Sequence, residues 1–134
     1  MVMAIIVVAC ESEQNGAGTA EALEGRWKVD ETSEIYKSTA SVYYANISIA
    51  PNDSSRIIIS NFYNLGSGNE VIGIVEGNRI ELVANQEYTH LSSTYIFKNG
   101  TGRIATDYQS IQWEYTVDDQ SGILDHVTAT YTRD

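Results

Sequence analysis

Ile111-Gln112-Trp113-Glu114-Tyr115-Thr116-Val117 is the stretch that decides the fold class. Every second residue is large and apolar or aromatic, and those between are polar or charged. Side chains on an extended strand point to opposite faces in turn, so this pattern describes a strand with one buried face and one wet face. Working outward, Asp118-Asp119-Gln120-Ser121-Gly122 supplies turn residues. The last strand, about Leu124 to Thr132, sets Val127, Ala129 and Tyr131 against His126, Thr128, Thr130 and Thr132. Near the start, Gly25 to Glu31 places Trp27 and Val29 opposite Arg26, Lys28 and Asp30. Tyr43 to Ile49 gathers Tyr43, Ala45, Ile47 and Ile49 on one face, and Pro51 to Ser54 then turns.

The middle of the chain is less regular. Arg56 to Phe62 holds Ile57, Ile58 and Ile59 in a row, so both faces are apolar and the period leaves the inward side open. Asn64 to Asn69, with Gly66 and Gly68, reads as a loop. Val71 to Val75 is a strand whose Gly73 marks a bend at a barrel corner. Glu76-Gly77-Asn78 is a tight hairpin, and Arg79 to Val83 returns with Ile80 and Leu82 on one face. Ala84 to Ser92 is polar and stays unassigned. Ser93 to Phe97 is a strand, Asn99-Gly100 a hairpin turn, and Gly102 to Tyr108 pairs back.

Eight or nine short strands joined by hairpin-length links predict an all-β fold. With no long crossover, the expectation is a single up-and-down antiparallel β-barrel of about eight strands, since closure removes exposed edges. The composition agrees: of 134 residues, 43% are hydrophobic and 19% charged, enough apolar material for a core. Nine Tyr, two Trp and two Phe with one Pro favour strands. A formal net charge of -10 makes nucleic acid a poor partner, because phosphate binding needs clustered Lys and Arg.

The single cysteine, Cys10, excludes an internal disulfide and a Cys-rich zinc site. Met1 to Ala9 is an uncharged apolar run ending at Cys10, after which polarity switches to Glu11-Ser12-Glu13-Gln14. Nine residues fall short of the roughly 20 that cross a bilayer, but suit the apolar region of a signal peptide. Val7-Val8-Ala9-Cys10 resembles the lipobox of bacterial lipoproteins, which implies lipidation of Cys10. Signal peptides open with a base and the first base here is Arg26, so the true start is expected upstream of Met1. The domain reading is therefore a signal-peptide remnant (1–9), a lipidated Cys10 with an acidic flexible tether (10–24), and a barrel (25–134). Thr19 to Leu23 is too short to support a helix on its own.

Gly25-Arg26-Trp27 on the first strand resembles the Gly-x-Trp of lipocalin-like, or calycin-type, barrels. That resemblance implies a late arginine, here Arg133, stacked on the Trp27 indole. The alternation itself puts Trp113 and Tyr131 on the inward wall with Trp27, and these three with Arg133 are the expected barrel-closing core. Thr106-Asp107-Tyr108 is similar to a second motif of that superfamily. The chain departs from it at Ile111, where a Tyr would stand, and it lacks the helix that follows the barrel. Residues 24 to 134 further resemble a group of small secreted lipoproteins of gut-type Gram-negative bacteria. The resemblance rests on Gly25-Arg26-Trp27-Lys28-Val29, Ile57 to Phe62, Val75 to Ile80 and Thr128 to Thr132. It implies an exported protein anchored in the cell envelope, at the outer membrane, and no chemistry.

No catalytic, metal or cofactor motif stands out. His90 and His126 lack the spacing of a metal pair. Asp118, Asp119 and Asp125 are acids that could hold Ca²⁺, though acids at a hairpin more commonly fix the turn. Glu70, Glu76, Glu81, Glu87 and Glu114 offer no distinguishable glycosidase pair. The surplus is in tyrosine. Tyr63, Tyr88 and Tyr95 are the ligand-contact candidates, able to stack on a glycan or a small hydrophobic ligand. The functional expectation is a non-enzymatic binding module for a small ligand or a partner, with a purely structural filled barrel as the alternative and a hydrolase behind both.

Overall fold

The computed structural model describes residues 19–35 and 41–134. Cys10, the signal-peptide remnant and most of the tether lie outside the described residues. Among the described residues nine strands form one antiparallel sheet: β1 (Gly25–Ser33), β2 (Ser41–Ile49), β3 (Arg56–Ser60), β4 (Glu70–Glu76), β5 (Arg79–Leu82), β6 (Gln86–His90), β7 (Ser93–Ile104), β8 (Ser110–Asp118) and β9 (Leu124–Arg133). The order is β5-β4-β3-β2-β1-β9-β8-β7-β6, and a further pairing of β5 with β7 closes the ring. β5 and β6 run in succession along opposite halves of β7, so the nine strands make eight walls of an up-and-down barrel.

Alternation places the core. Trp27 and Val29 on β1, Tyr43, Ala45 and Ile47 on β2, and Ile111, Trp113, Tyr115 and Val117 on β8 are all buried. On β3 the inward residues are Ile57 and Ile59, with Ile58 half exposed on the outside. That parity comes from register: Ile59 lies opposite the inward Ile47 of β2.

Three assignments change. Asn99-Gly100 is no turn; it lies inside the twelve-residue β7. A Cβ at Gly100 would stand 2.5 Å from Leu82 Cδ1 and 2.8 Å from Tyr115 Cβ, so this glycine is needed for close approach of walls, not for a bend. Gly102 to Ile104 continues β7, and residues 105–109 form the turn instead. The polar stretch after Val83 contains β6, joined to β7 by the two-residue hairpin Leu91-Ser92 with φ of 51° and 73°. Positive φ at both positions is the geometry of a type I′ turn, which sequence reading expects from Asn-Gly instead.

The fold also reaches back before β1. A helical turn over residues 19–22 packs under the barrel, with Ala20 and Leu23 fully buried. The Trp27 indole Nε1 donates to the Leu23 carbonyl at 2.9 Å. The Arg133 guanidinium lies 4.1 Å above the Trp27 ring and donates to the carbonyls of Glu24 and Ala22. One arginine thus satisfies the helix-end carbonyls and covers the indole, which seals this end. Trp27→Ala is expected to lower unfolding free energy by about 3–5 kcal/mol in chemical denaturation; a loss under about 1 kcal/mol would show that Trp27 does not hold the closed end.

Candidate functional site at the open end of the barrel

Hairpin connections place residues 34–35, 61–69, 91–92 and 119–123 at the end opposite Trp27. This end is closed differently. Phe62–Asn64 forms one tight turn that drops Phe62 fully into the barrel. The Phe62 ring meets Phe97 edge-on at 5.2 Å, Trp113 at 6.1 Å and Tyr115 at 4.5 Å between centroids. Asn61, Tyr63 and Asn64 all have φ near +58°, a left-handed region that asparagine tolerates and that is costly for Tyr63. Side chains hold this backbone in place. Asn69 Nδ2 donates to the Phe62 carbonyl at 2.7 Å, and Asn61 bridges the Tyr44 carbonyl and the Gly66 amide.

Tyr63, Tyr88 and Tyr95 come together around this plug. Tyr88 and Tyr95 are directly opposed across β6 and β7, and Tyr95 lies 6.1 Å from the Tyr63 ring. Tyr88 stacks on His90 at 6.2 Å, so His90 belongs to an aromatic cluster. All four are partly exposed at the rim. Apolar side chains extend the surface: Leu91 is 85% exposed and Ile123 66%.

Beneath the plug lie two buried acids that the period analysis did not single out. Glu31, on the same face as Trp27 and Val29, accepts hydrogen bonds from the hydroxyls of Tyr43 and Tyr115, each at 2.5 Å. Burial pushes the Glu31 carboxyl above its ordinary range, outweighing those two hydrogen bonds, and the nearby Asp125 charge adds to the rise. Asp125 accepts from the hydroxyls of Ser33 and Tyr63 at 2.5 Å and from the Ile35 amide at 3.1 Å. Burial likewise raises the phenols of Tyr43, Tyr115 and Tyr131, so all three stay protonated donors. Among the described residues, the Tyr131 hydroxyl and the Trp113 Nε1 are buried without a hydrogen-bond partner.

The other candidates sit elsewhere. Asp118 and Asp119 accept from the Gln120 and Ser121 amides and fix the turn, while Asp125 points inward, away from them. His126 is on the outer wall beside Thr116. Among the described residues no group of three His, Cys, Asp or Glu side chains gathers to hold a metal. Hollows of about 600 and 530 Å³ lie on the outer wall, lined chiefly by polar residues such as Thr101, Glu114 and Thr128. Trp113 and Tyr131 pack 5.8 Å apart inside the barrel, and Trp27 and Arg133 meet at its sealed end.

No protein-family model matches this chain, and no curated protein matches it significantly.

The Glu31 environment sets a pH dependence. A carboxyl raised by folding keeps its proton where the unfolded chain has released it. Glu31 therefore favours the folded state below its ordinary range, near pH 4, and that contribution is lost as pH rises through the folded value. Unfolding free energy of the parent minus that of Glu31→Gln should fall between pH 4 and pH 8. A difference independent of pH would mean that Glu31 titrates as an exposed acid.

Proposed function

We propose that this chain is a non-enzymatic binding module of the cell envelope, lipid-anchored through Cys10, that takes a small flat neutral ligand at the open end of its barrel. The observation that carries this reading is the gathering of Tyr63, Tyr88, Tyr95 and His90, from three separate segments, into one partly exposed aromatic surface. Tyrosine faces stack on sugar or aromatic rings while the hydroxyls hydrogen-bond, a combination suited to ligand mouths. Exposed apolar tips at the same end of the barrel, Leu91 and Ile123, add apolar surface there. The acids below argue against hydrolysis: their oxygens are taken by the chain's own hydroxyls and a backbone amide, which holds carboxylates instead of presenting them to substrate.

The likeness to calycin-type lipoproteins supports the envelope location. It draws further support from the Arg133 guanidinium stacked on Trp27 and from the closed antiparallel barrel. A purely structural role is the second reading, favoured by the fully buried Phe62, Phe97 and Trp113 that fill the interior.

Binding is read from N-phenyl-1-naphthylamine fluorescence and from an array of neutral oligosaccharides. The parent should bind one of these classes, and Tyr88→Ala and Tyr95→Ala should each weaken it by roughly ten-fold, a stacking contribution of about 1–2 kcal/mol. Failure of the parent to bind either class would leave the structural reading. For the anchor, a fatty-acid probe fed to cells making the full precursor should label the parent and not Cys10→Ser; label that persists in the variant would refute lipidation at Cys10.

A further inference from the structure

We propose that the two interior acids and the tyrosines around them form a binding site for a compact organic ammonium ion, entered when the segment 61–69 lifts out of the barrel. The proposal rests on the open end being the ligand entrance and names the chemistry of the layer of acids and tyrosines beneath it.

Two observations point to a ligand. Glu31 and Asp125 are 5% and 1% exposed, close enough to repel, and among the described residues neither forms an ion pair. Buried charges are ordinarily paired, so two unpaired acids mark a place that gains from a cation. Independently, the Tyr131 hydroxyl is fully buried, lies within electrostatic range of Glu31, and has no hydrogen-bond partner among the described residues. An ammonium N–H donor can satisfy that oxygen and a carboxylate together.

The surroundings select an organic cation over a metal ion. A hard cation seeks six to eight oxygens free to turn toward it, whereas here the hydroxyls of Tyr43, Tyr115, Tyr63 and Ser33 are already donated to the two carboxylates and aromatic rings pack around them. Aromatic faces attract alkylammonium groups, the more so away from water.

The plug supplies the shape. Phe62 presses on Tyr115 at 4.5 Å, and the Tyr115 hydroxyl binds Glu31 at 2.5 Å, so an aromatic group and the acid already share one phenol. The hydroxyl of Tyr63 is held on Asp125, where an incoming ammonium would compete with it. The positive φ of Tyr63 gives the segment strain to release on lifting. An arylalkylammonium would thus place its ring where Phe62 sits and its nitrogen between Glu31 and Asp125.

Isothermal titration of the full chain with phenethylammonium chloride tests this, with 2-phenylethanol and calcium chloride as the other arms. The amine should bind, and the alcohol should bind roughly ten-fold or more weakly, the worth of a charged hydrogen bond. Glu31→Gln and Asp125→Asn, which keep the acceptors for the tyrosines, should each weaken the amine by about ten-fold or more, while Phe62→Ala should tighten it. Amide exchange across 61–69 should accelerate when the amine binds the parent, a readout that stands even if a variant fails to fold. Equal binding of amine and alcohol, undiminished binding in Glu31→Gln, preference for calcium, or no binding by parent and Phe62→Ala would overturn the ammonium site. A failure of the rim reading looks different: there the neutral probe is lost in the parent, whereas loss of the amine alone leaves the neutral probe sensitive to Tyr88→Ala.

Discussion

Closure of the ring through β5 and β7 is the constraint on which the rest depends. A meander of eight walls has two free edges until its ends meet, and here they meet through three pairs, Arg79 with Arg103, Ile80 with Gly102 and Glu81 with Thr101, while glycines nearby let the walls approach. Gly73 on β4 lets Ile80 lie against it, and Gly100 on β7 admits both Leu82 and Tyr115. Gly102 receives the face of the Trp113 indole, with ring atoms about 3.1 Å from where a Cβ would stand. The closing pairs are correspondingly short, running from Arg79 to Glu81 on β5, after which the wall is interrupted and resumes as β6. Across the resulting gap the Gln86 amide accepts from the Ile72 N–H and donates to the Ile72 and Val83 carbonyls, replacing a missing stretch of ladder. A buried edge is tolerable only with its backbone groups satisfied in this way.

Because the barrel is small, both ends must be closed by the chain itself, and the two closures differ in kind. At one end apolar burial and a cation dominate: Leu23 and Trp27 pack together and Arg133 covers them while serving two carbonyls. At the other, a backbone held at positive φ carries a phenylalanine down onto a layer of tyrosines and acids. The second closure places two buried acids near one another beneath the plug. Between the two ends, among the described residues, the Tyr131 hydroxyl and the Trp113 Nε1 are buried without a hydrogen-bond partner. Like charges oppose folding, so the plugged end is held at a cost that the sealed end does not carry.

Much of the fold was legible because period two is a strong signal where one face is wet. β1, β2, β8 and β9 were readable within a residue or two for that reason, and Trp27, Trp113 and Tyr131 fell on the inward parity. β7 was misread because Asn-Gly ordinarily means a turn, and single-sequence reasoning cannot see that Leu82 and Tyr115 need the glycine's missing side chain. β6 was missed because its inward residues are Gln86, Tyr88 and His90, too polar for an apolar period. The buried acids were hidden by the same rule. Glu31 sits two residues after Val29, and Asp125 two before Val127, both on the inward parity. A pattern search treats such residues as the end of a strand, so the signal was present as a parity that continues past the last apolar residue. The rim tyrosines could be chosen by type, but their convergence depends on the 61–69 turn, which no local pattern encodes.

The same parity explains why the two acids should be weighed as a feature of the site and not as an accident of the core. Replacing Glu31 by an apolar residue would cost the hydrogen bonds of Tyr43 and Tyr115, and replacing those tyrosines by phenylalanine would strand Glu31. The network is internally consistent, yet an apolar layer at this level would be simpler and would avoid the desolvation that raises the Glu31 carboxyl. Structural need accounts for the hydroxyls and the amide that the acids hold, but not, among the described residues, for the absence of a cation beside them or for the Tyr131 hydroxyl without a partner. The plug has the same logic: Tyr63 at φ 58° stands in a left-handed region that tyrosine adopts only where its surroundings hold it, here through its hydroxyl on Asp125. An acid layer held by neutral donors, beneath a plug whose Tyr63 stands at positive φ, is the arrangement that an incoming cation would complete.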